Sequence, residues 1–350
     1  MKKLMKGNEA IAEAAVRGGC RFFAGYPITP QNEIPEYLSW RLFEVGGQFV
    51  QSESEVAAIN MVYGAAAAGT RAMTSSSSPG ISLKQEGISY IAGAELPCVI
   101  INMVRGGPGL GGIQPAQSDY FQATKGGGHG DYHMLVYGPN SVQECVDILY
   151  NAFDKADEYR IPVMILGDGM LGQMMEPVTF KVGEIQHHDA SEKPWATNGH
   201  GNKRKHNIVN SLYLQAEELE RLNIERFERY ETVKKELHEA EHADIVVAAY
   251  GSVARLAKAA VDRAREAGIK AGLVRPVTLW PFPVQEVREA CRNAKRVLCV
   301  EMSMGQMIDD VKLALDCRIP VEFYGRTCGV VPKTTAIFEQ IKLLSEKEAE

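Results

Sequence analysis

Two hydrophobic periods alternate along the first half of the chain. Apolar residues at helical spacing predict a helix from Asn8, as its cap, to Val16, with Gly18-Gly19 ending it. The apolar run Phe22-Phe23-Ala24-Gly25 predicts a strand that leads into the loop Tyr26-Pro27-Ile28-Thr29-Pro30. The two prolines stiffen this loop, and Pro30 restricts Thr29 to extended geometry. A helix is predicted over residues 33–43 and a strand over 48–51. The acidic, polar stretch Gln51-Ser52-Glu53-Ser54-Glu55 then gives way to a helix over 56–68, rich in Ala and Gly and ended by Gly69. A strand over 71–75, a polar turn over 76–80, a helix over 82–92 and an apolar strand over 98–103 follow. The last runs into Arg105 and a glycine-rich loop, 106–112. A helix over 141–158 and a strand over 163–167 close this unit.

Residues 184–212 are polar and aperiodic and read as a linker or long loop. Residues 216–240 predict a long helix of alternating charge, by default a solvated connector. From Asp244 a second α/β unit is predicted. It has strands over 245–250, 271–274, 296–301 and 321–324, and helices over 253–267, 284–292, 305–315 and the C-terminus. Between them runs an extended, proline-ruled segment over 275–283. The resulting domains are 1–183, a linker and connector helix over 184–242, and 243–350. Apolar strands alternating with helices predict α/β architecture with a doubly wound, mainly parallel sheet. Ligands gather at the carboxyl ends of such strands. Thr29, the 76–80 turn, Arg105 and Glu55 all follow predicted strands, which places four polar features on one edge.

Composition narrows the function. The 350 residues are 45% hydrophobic and 23% charged, which fits a globular protein with a sizeable core. A net charge of −6 argues against a general nucleic-acid binder. The basic start, Met1 to Gly7, is not followed by the apolar core of a signal peptide, and no apolar run reaches a membrane span, so a cytoplasmic protein is expected. No two of the seven cysteines are separated by only two residues, as a ferredoxin-like cluster or zinc ribbon would require. Any metal centre for electron transfer is therefore expected on another chain. The histidines between 187 and 206 match no ligand spacing and read as surface loop.

Glu55 stands at a helix start, where the helix dipole favours a carboxylate beside its serine caps. The loop 106–112 lacks the Gly-Lys-Ser/Thr ending of a phosphate loop, and Gly64 to Gly69 lies late in a helix instead of opening one.

The phrases Gly19-Cys20-Arg21-Phe22-Phe23-Ala24-Gly25-Tyr26-Pro27-Ile28-Thr29-Pro30, Gln51 to Glu55 with its Ala/Gly helix, Arg105 and His129-Gly130-Asp131-Tyr132 occur in one order. Together they resemble the α subunit of 2-oxoacid:ferredoxin oxidoreductases, in particular the branched-chain (2-oxoisovalerate) and 2-oxoglutarate types. The resemblance covers nearly the whole chain. It implies a pyrimidine-binding (Pyr) domain that binds thiamine diphosphate, followed by a transketolase C-terminal-like domain. In that family the glutamate matching Glu55 hydrogen-bonds a ring nitrogen of the aminopyrimidine and so helps to create the nucleophilic ylid. Glu53 is its rival in this segment, and the spacing to Gly64 favours Glu55. The residue matching Thr29 contacts the substrate carboxylate or keto oxygen. Arg105 matches the arginine that pairs with that carboxylate, and Tyr26 and Ser78 are lining candidates. Gly167-Asp168-Gly169 imitates the opening of the magnesium-diphosphate motif, but Asn198 stands alone where paired asparagines belong. Asp168 reads as an acid at a strand end.

The resemblance implies a CoA-acylating, thiamine-diphosphate-dependent oxidative decarboxylation. A β subunit would hold diphosphate and Mg2+, and a γ subunit and a ferredoxin-like δ subunit would complete the complex. Iron-sulfur clusters would lie on partners, and ferredoxin would accept the electrons. The expected substrate is 3-methyl-2-oxobutanoate, with 2-oxoglutarate as the alternative; the latter needs a further cation, for which Lys84 and Lys125 are candidates. The remaining readings are a self-sufficient transketolase-type enzyme, against which the missing diphosphate motif counts, and a non-catalytic scaffold subunit.

Overall fold

The computed structural model describes residues 2–181, 185–186, 188–236 and 246–347. The expected domain boundaries at 183/184 and 242/243, and the last turn of the helix expected over 216–240, fall outside them.

The chain opens with β1 (Lys3–Lys6) and α1 (Gly7–Arg17), then β2 (Phe22–Gly25), α2 (Glu33–Glu44), β3 (Gln48–Gln51) and α3 (Glu55–Ala67). Next come β4 (Ala72–Ser76), α4 (Ser78–Gly93), β5 (Cys98–Val104), α5 (Tyr120–Thr124) and β6 (Leu135–Tyr137). The run to the linker is α6 (Val142–Tyr159), β7 (Pro162–Asp168), α7 (Gly169–Gln173) and β8 (Met175–Val178). A 3₁₀ turn, Ala190–Glu192, and α8 (Ala216–Glu236) lead into β9 (Val246–Ala248), α9 (Gly251–Glu266), β10 (Gly272–Val274) and β11 (Thr278–Trp280). The chain continues through α10 (Val284–Ala290), β12 (Val297–Glu301), α11 (Met307–Ala314), β13 (Val321–Gly325) and α12 (Thr334–Lys347).

Among the described residues the largest sheet has seven strands in the order β11-β6-β7-β5-β4-β2-β3, all parallel except that β11 runs antiparallel to β6. Its central strands, Cys98–Val104 and Pro162–Asp168, are buried along their whole length. Helices on both faces bury both sides of these strands, so their apolar runs are continuous and not alternating. A second, parallel sheet has the order β10-β9-β12-β13.

Several local expectations change. Asn8 is not a cap: α1 begins one residue earlier, and the buried Asn8 amide donates to Pro30 O at 2.8 Å and to Glu33 Oε2 at 2.7 Å. Helix α4 begins at Ser78, because Pro79 suits a first helical turn instead of preventing it. Gly251 and Ser252 likewise belong to α9. The short strands β1, β6 and β8 escape the periodicity because three or four residues carry too few positions to show a period. Helix α8 is largely exposed, as expected of a solvated connector, but its C-terminal half packs on the first unit: Tyr230 and Val233 are buried, and His133 stacks on Trp280 (centroids 4.4 Å apart) beside them. The proline-ruled segment supplies β11, which leaves the second unit to edge the first sheet.

Candidate active site

Four contiguous strands, β5-β4-β2-β3, bring their carboxyl ends to one place. From β2 the chain steps outward to β3 and then returns to the other side of β2 as β4. The two crossovers diverge there, which is where an open α/β sheet forms its ligand crevice. Across this edge lie Arg105 after β5, Ser76 to Ser78 at the end of β4, Tyr26 to Thr29 after β2, and Glu55 after β3.

Ser54 caps α3 by accepting from Ala57 N at 3.2 Å, which makes Glu55 its first residue. Ser52 Oγ lies 3.0 Å from Gly25 O and 2.9 Å from Ser54 O, fixing this helix start to the end of β2. Glu55 is only 6% exposed, whereas Glu53 is exposed. Among the described residues no side chain donates a hydrogen bond to the Glu55 carboxylate. It lies against Gly80 in the first turn of α4, where a Cβ would stand 2.6 Å from Oε1 and also meet Ser76 Oγ. Only glycine permits this approach.

Ser78 joins β4 to β5. Its N–H donates to Asn102 Oδ1 at 3.1 Å, and its Oγ accepts from Arg105 N at 3.0 Å. Asn102 Nδ2 donates to Asp119 Oδ2 at 3.0 Å. Burial raises the pKa of Asp119, against the lowering effect of hydrogen bonds from Ser78 and Asn102. The buried Arg105 guanidinium reaches across the edge, with Nη1 donating to Thr29 O at 3.0 Å and Nη2 to Leu110 O at 2.9 Å. It thereby clamps the proline loop and the glycine-rich loop together.

Thr29, Ser78 and Arg105 are thus joined by hydrogen bonds, and Glu55 meets them through the first turn of α4. Thr29 is exposed and walls a cleft of about 580 Å³ lined also by Pro30, Glu33, Gln114, Met170 and Gly329. Glu55 and Arg105 lie outside this cleft, which opens between the two units. Tyr26 shares the loop but is 39% exposed and makes no hydrogen bond to the other four. Lys84 is fully buried and Lys125 is ion-paired with Asp310, so neither is a free cation in the cleft. Asp168 is buried at the end of β7. It caps α7 by accepting from Met170 N at 2.9 Å and Leu171 N at 3.1 Å, and it takes the Ser252 hydroxyl as well.

Four further residues shape the site without standing out as candidates in the sequence. Gln31 is buried and accepts from Ser75 Oγ at 2.5 Å, pinning the proline loop to β4. Asn102 carries a legible signal, a polar residue inside the apolar run Val-Ile-Ile-Asn-Met-Val. Ser76 and Ser77 sit in a serine run in which nothing distinguishes one hydroxyl from the next. Their Oγ atoms and Arg105 Nε are buried without a hydrogen-bond partner. Buried polar atoms rarely stay unpaired. A carboxylate, two hydroxyls and one guanidinium N–H without hydrogen-bond partners among the described side chains, at one sheet edge, fit a polar heterocycle and a carboxylate-bearing substrate.

Residues 13–250, more than half of the chain, match the family described as pyruvate flavodoxin/ferredoxin oxidoreductase, thiamine diphosphate-binding. Residues 243–337 match pyruvate:ferredoxin oxidoreductase core domain II. The chain is 49% identical over 345 residues to the ketoisovalerate oxidoreductase subunit VorB of Methanothermobacter marburgensis, covering 97% of each. It is 37% identical over 380 residues to the 2-oxoglutarate synthase subunit KorA of Methanothermobacter thermautotrophicus, covering 96% of this chain and 97% of that one. Among solved structures it resembles the 2-oxoglutarate:ferredoxin oxidoreductase from Magnetococcus marinus, with TM-score 0.83 and 26% identity; 98% of this chain aligns with 65% of that one. A split-gene transketolase shares the fold at TM-score 0.60 and 15% identity.

Proposed function

The chain belongs to the 2-oxoacid:ferredoxin oxidoreductase family, among its α-type subunits, and on that premise we propose that it forms one side of a site where a 2-oxoacid is oxidatively decarboxylated to an acyl-CoA with reduction of ferredoxin. The observation that carries this reading is the buried Glu55 carboxylate at the start of α3. It receives no hydrogen bond from a described side chain and faces the glycine at the opening of α4.

Thiamine diphosphate supplies the carbon nucleophile and the electron sink when bound. Glu55 would hold a ring nitrogen of its aminopyrimidine by a charge-assisted hydrogen bond. Thr29 presents its hydroxyl to the substrate carboxylate or keto oxygen from a loop fixed by Gln31 and Arg105. Arg105 has its unpartnered Nε–H to offer the carboxylate. Ser78 and Tyr26 line the site, the first by setting the position of Arg105 and the second from the exposed side of the loop. The orphaned hydroxyls of Ser76 and Ser77 are available to the same ligands.

Diphosphate and Mg2+ fall to a partner β subunit in this reading, because both oxygens of Asp168 are engaged by backbone and by Ser252. A γ subunit, a ferredoxin-like δ subunit carrying iron-sulfur clusters, and CoA complete the assembly, which would work in the cytoplasm. Pyr, linker and C-terminal domains over 1–183, 184–242 and 243–350 remain the proposed division. The preferred substrate is 3-methyl-2-oxobutanoate. The greater identity to a ketoisovalerate oxidoreductase subunit supports this, and so does the commitment of Lys84 and Lys125 elsewhere.

The test is Glu55→Gln in the reconstituted complex. Loss of a carboxylate that acts in proton transfer predicts a fall in kcat of about 10²- to 10⁴-fold with thermal stability retained. A scaffold subunit would keep its activity, and that result would sink the proposal.

A further inference from the structure

Helices α3 and α4 are pressed together along two glycines. Gly80 faces Glu55, and Gly87 faces Ile59 four residues further along α3, where a Cβ would meet Ile59 Cγ2 at 2.5 Å. Lys84 lies between these glycines on the same face of α4 and is fully buried. Its ammonium donates to Thr74 Oγ1 at 2.8 Å and to Ser75 O at 3.0 Å, at the carboxyl end of β4. Thr74 in turn donates to Ala24 O at 2.7 Å, so the anchor spans two strands of the site.

A buried ammonium needs a compensating charge. Strands β2 and β4, which flank α3, carry no ionisable side chain. Within α3, Glu55 is the sole charged residue, and Tyr63 lies two turns away. On α4, Glu86 is exposed and accepts from Tyr90 OH at 2.6 Å. On the strands beneath α4, Cys98 lies at the opposite end of β5, and Asp168 is held by Met170 N, Leu171 N and Ser252. Arg105 points to Thr29 O and Leu110 O. Asp119, beside Ser78 at the opening of α4, is held by Asn102 Nδ2, which leaves Glu55 as the counter-charge. Burial pushes the Lys84 pKa down to about 7, against the upward pull of Glu55.

We propose that Lys84 is a positioning residue for Glu55: its ammonium, fixed on the end of β4, is the buried counter-charge that keeps the carboxylate aimed across Gly80. The inference rests on Glu55 being the carboxylate that contacts the aminopyrimidine. Lys84 itself touches neither cofactor nor substrate. Removing a neighbouring cation makes a carboxylate easier to protonate. The Glu55 contact then fails at a higher pH.

The test uses the reconstituted complex with Lys84→Met and Lys84→Arg. Thiamine diphosphate affinity, read by tryptophan fluorescence quenching, and kcat are each measured across pH. Lys84→Met is expected to move the acid limb of both profiles up by about one pH unit or more, and Lys84→Arg, which keeps the charge, to return it to its wild-type place. On a Glu55→Gln background, Lys84→Met is expected to leave the binding profile unmoved, because the titrating partner is gone. A uniform loss at every pH with the limb unmoved marks a merely structural lysine and overturns the inference. So does a shift that persists without Glu55. If Lys84→Met does not assemble, Lys84→Gln carries the same test, and an acid limb left in its wild-type place overturns the inference. Full turnover by Glu55→Gln alone would instead overturn the catalytic reading of the site. Inactive Glu55→Gln with unmoved Lys84 profiles removes only the role given to Lys84.

Discussion

Arg105 shows how one side chain couples loops that are far apart in sequence. Its Nη1 and Nη2 each hold a backbone carbonyl, one on the proline loop and one on the glycine-rich loop. Lysine has the charge but not the planar fork that spans both. Arg105→Lys therefore releases at least one loop. A charge-assisted hydrogen bond contributes about 1.5–3 kcal/mol, so kcat/KM for the 2-oxoacid is expected to fall about 10- to 100-fold. The fall should appear mainly as a higher KM, since Glu55 stays in place. An unchanged KM would show that the clamp does not serve substrate binding. An arginine after a strand was readable in the sequence; its grip on Thr29 was not, because it crosses from β5 to the loop after β2.

At the scale of elements, β6, β11 and α8 share a small aromatic core. His133 stacks on Trp280 and meets Tyr230 and Phe227 edge-on or tilted. Burial pushes its pKa down to about 4, helped by Lys234 and Lys125 and opposed by Asp131. A histidine with a depressed folded-state pKa binds fewer protons folded than unfolded. Its stabilising contribution is complete above pH ~6.5 and is lost as pH falls from there toward about 4. Thermal unfolding of the complex is expected to lose stability across this window, and His133→Gln to flatten that part of the slope. A wild-type Tm that holds level from pH 6.5 to 4.5 would contradict this. The charged pattern of α8 concealed this packing, because its few apolar residues are spread among many ionic ones, and β6 is too short to announce a period.

At the scale of the molecule, the two units meet through buried polar contacts. Gln117 exchanges hydrogen bonds with the backbone of Tyr250 and Met302, and Tyr120 donates to Asp310 Oδ2 at 2.6 Å. Arg275 holds Glu144 through two bonds of 3.1 and 3.0 Å. Thr29 of the first unit and Gly329 of the second line the same cleft. Among the described residues no lysine or arginine lines the cleft, so it offers no cation to a distal substrate carboxylate. The assembled complex is expected to turn over 2-oxoisovalerate with higher kcat/KM than 2-oxoglutarate when both are assayed with ferredoxin. Efficient 2-oxoglutarate turnover with none of 2-oxoisovalerate would reverse the assignment.

The amino-acid sequence by itself determined which segments are helix and strand wherever the apolar runs were long enough to show a period. It also placed Glu55, Thr29, Arg105 and the 76–80 segment after strands, and its family motifs named the chemistry. Periodicity reports which face of an element is buried; it carries no information on which strands are neighbours. The order β5-β4-β2-β3, decided by inter-strand hydrogen bonds and helix packing, gathers those four features at one edge. Close helix approach at Gly80 and Gly87 buries Lys84, which the sequence offered as a cation for a distal substrate carboxylate. The crossing of β11 into the first sheet was likewise a tertiary decision, since that edge is completed by pairing with a strand more than a hundred residues earlier.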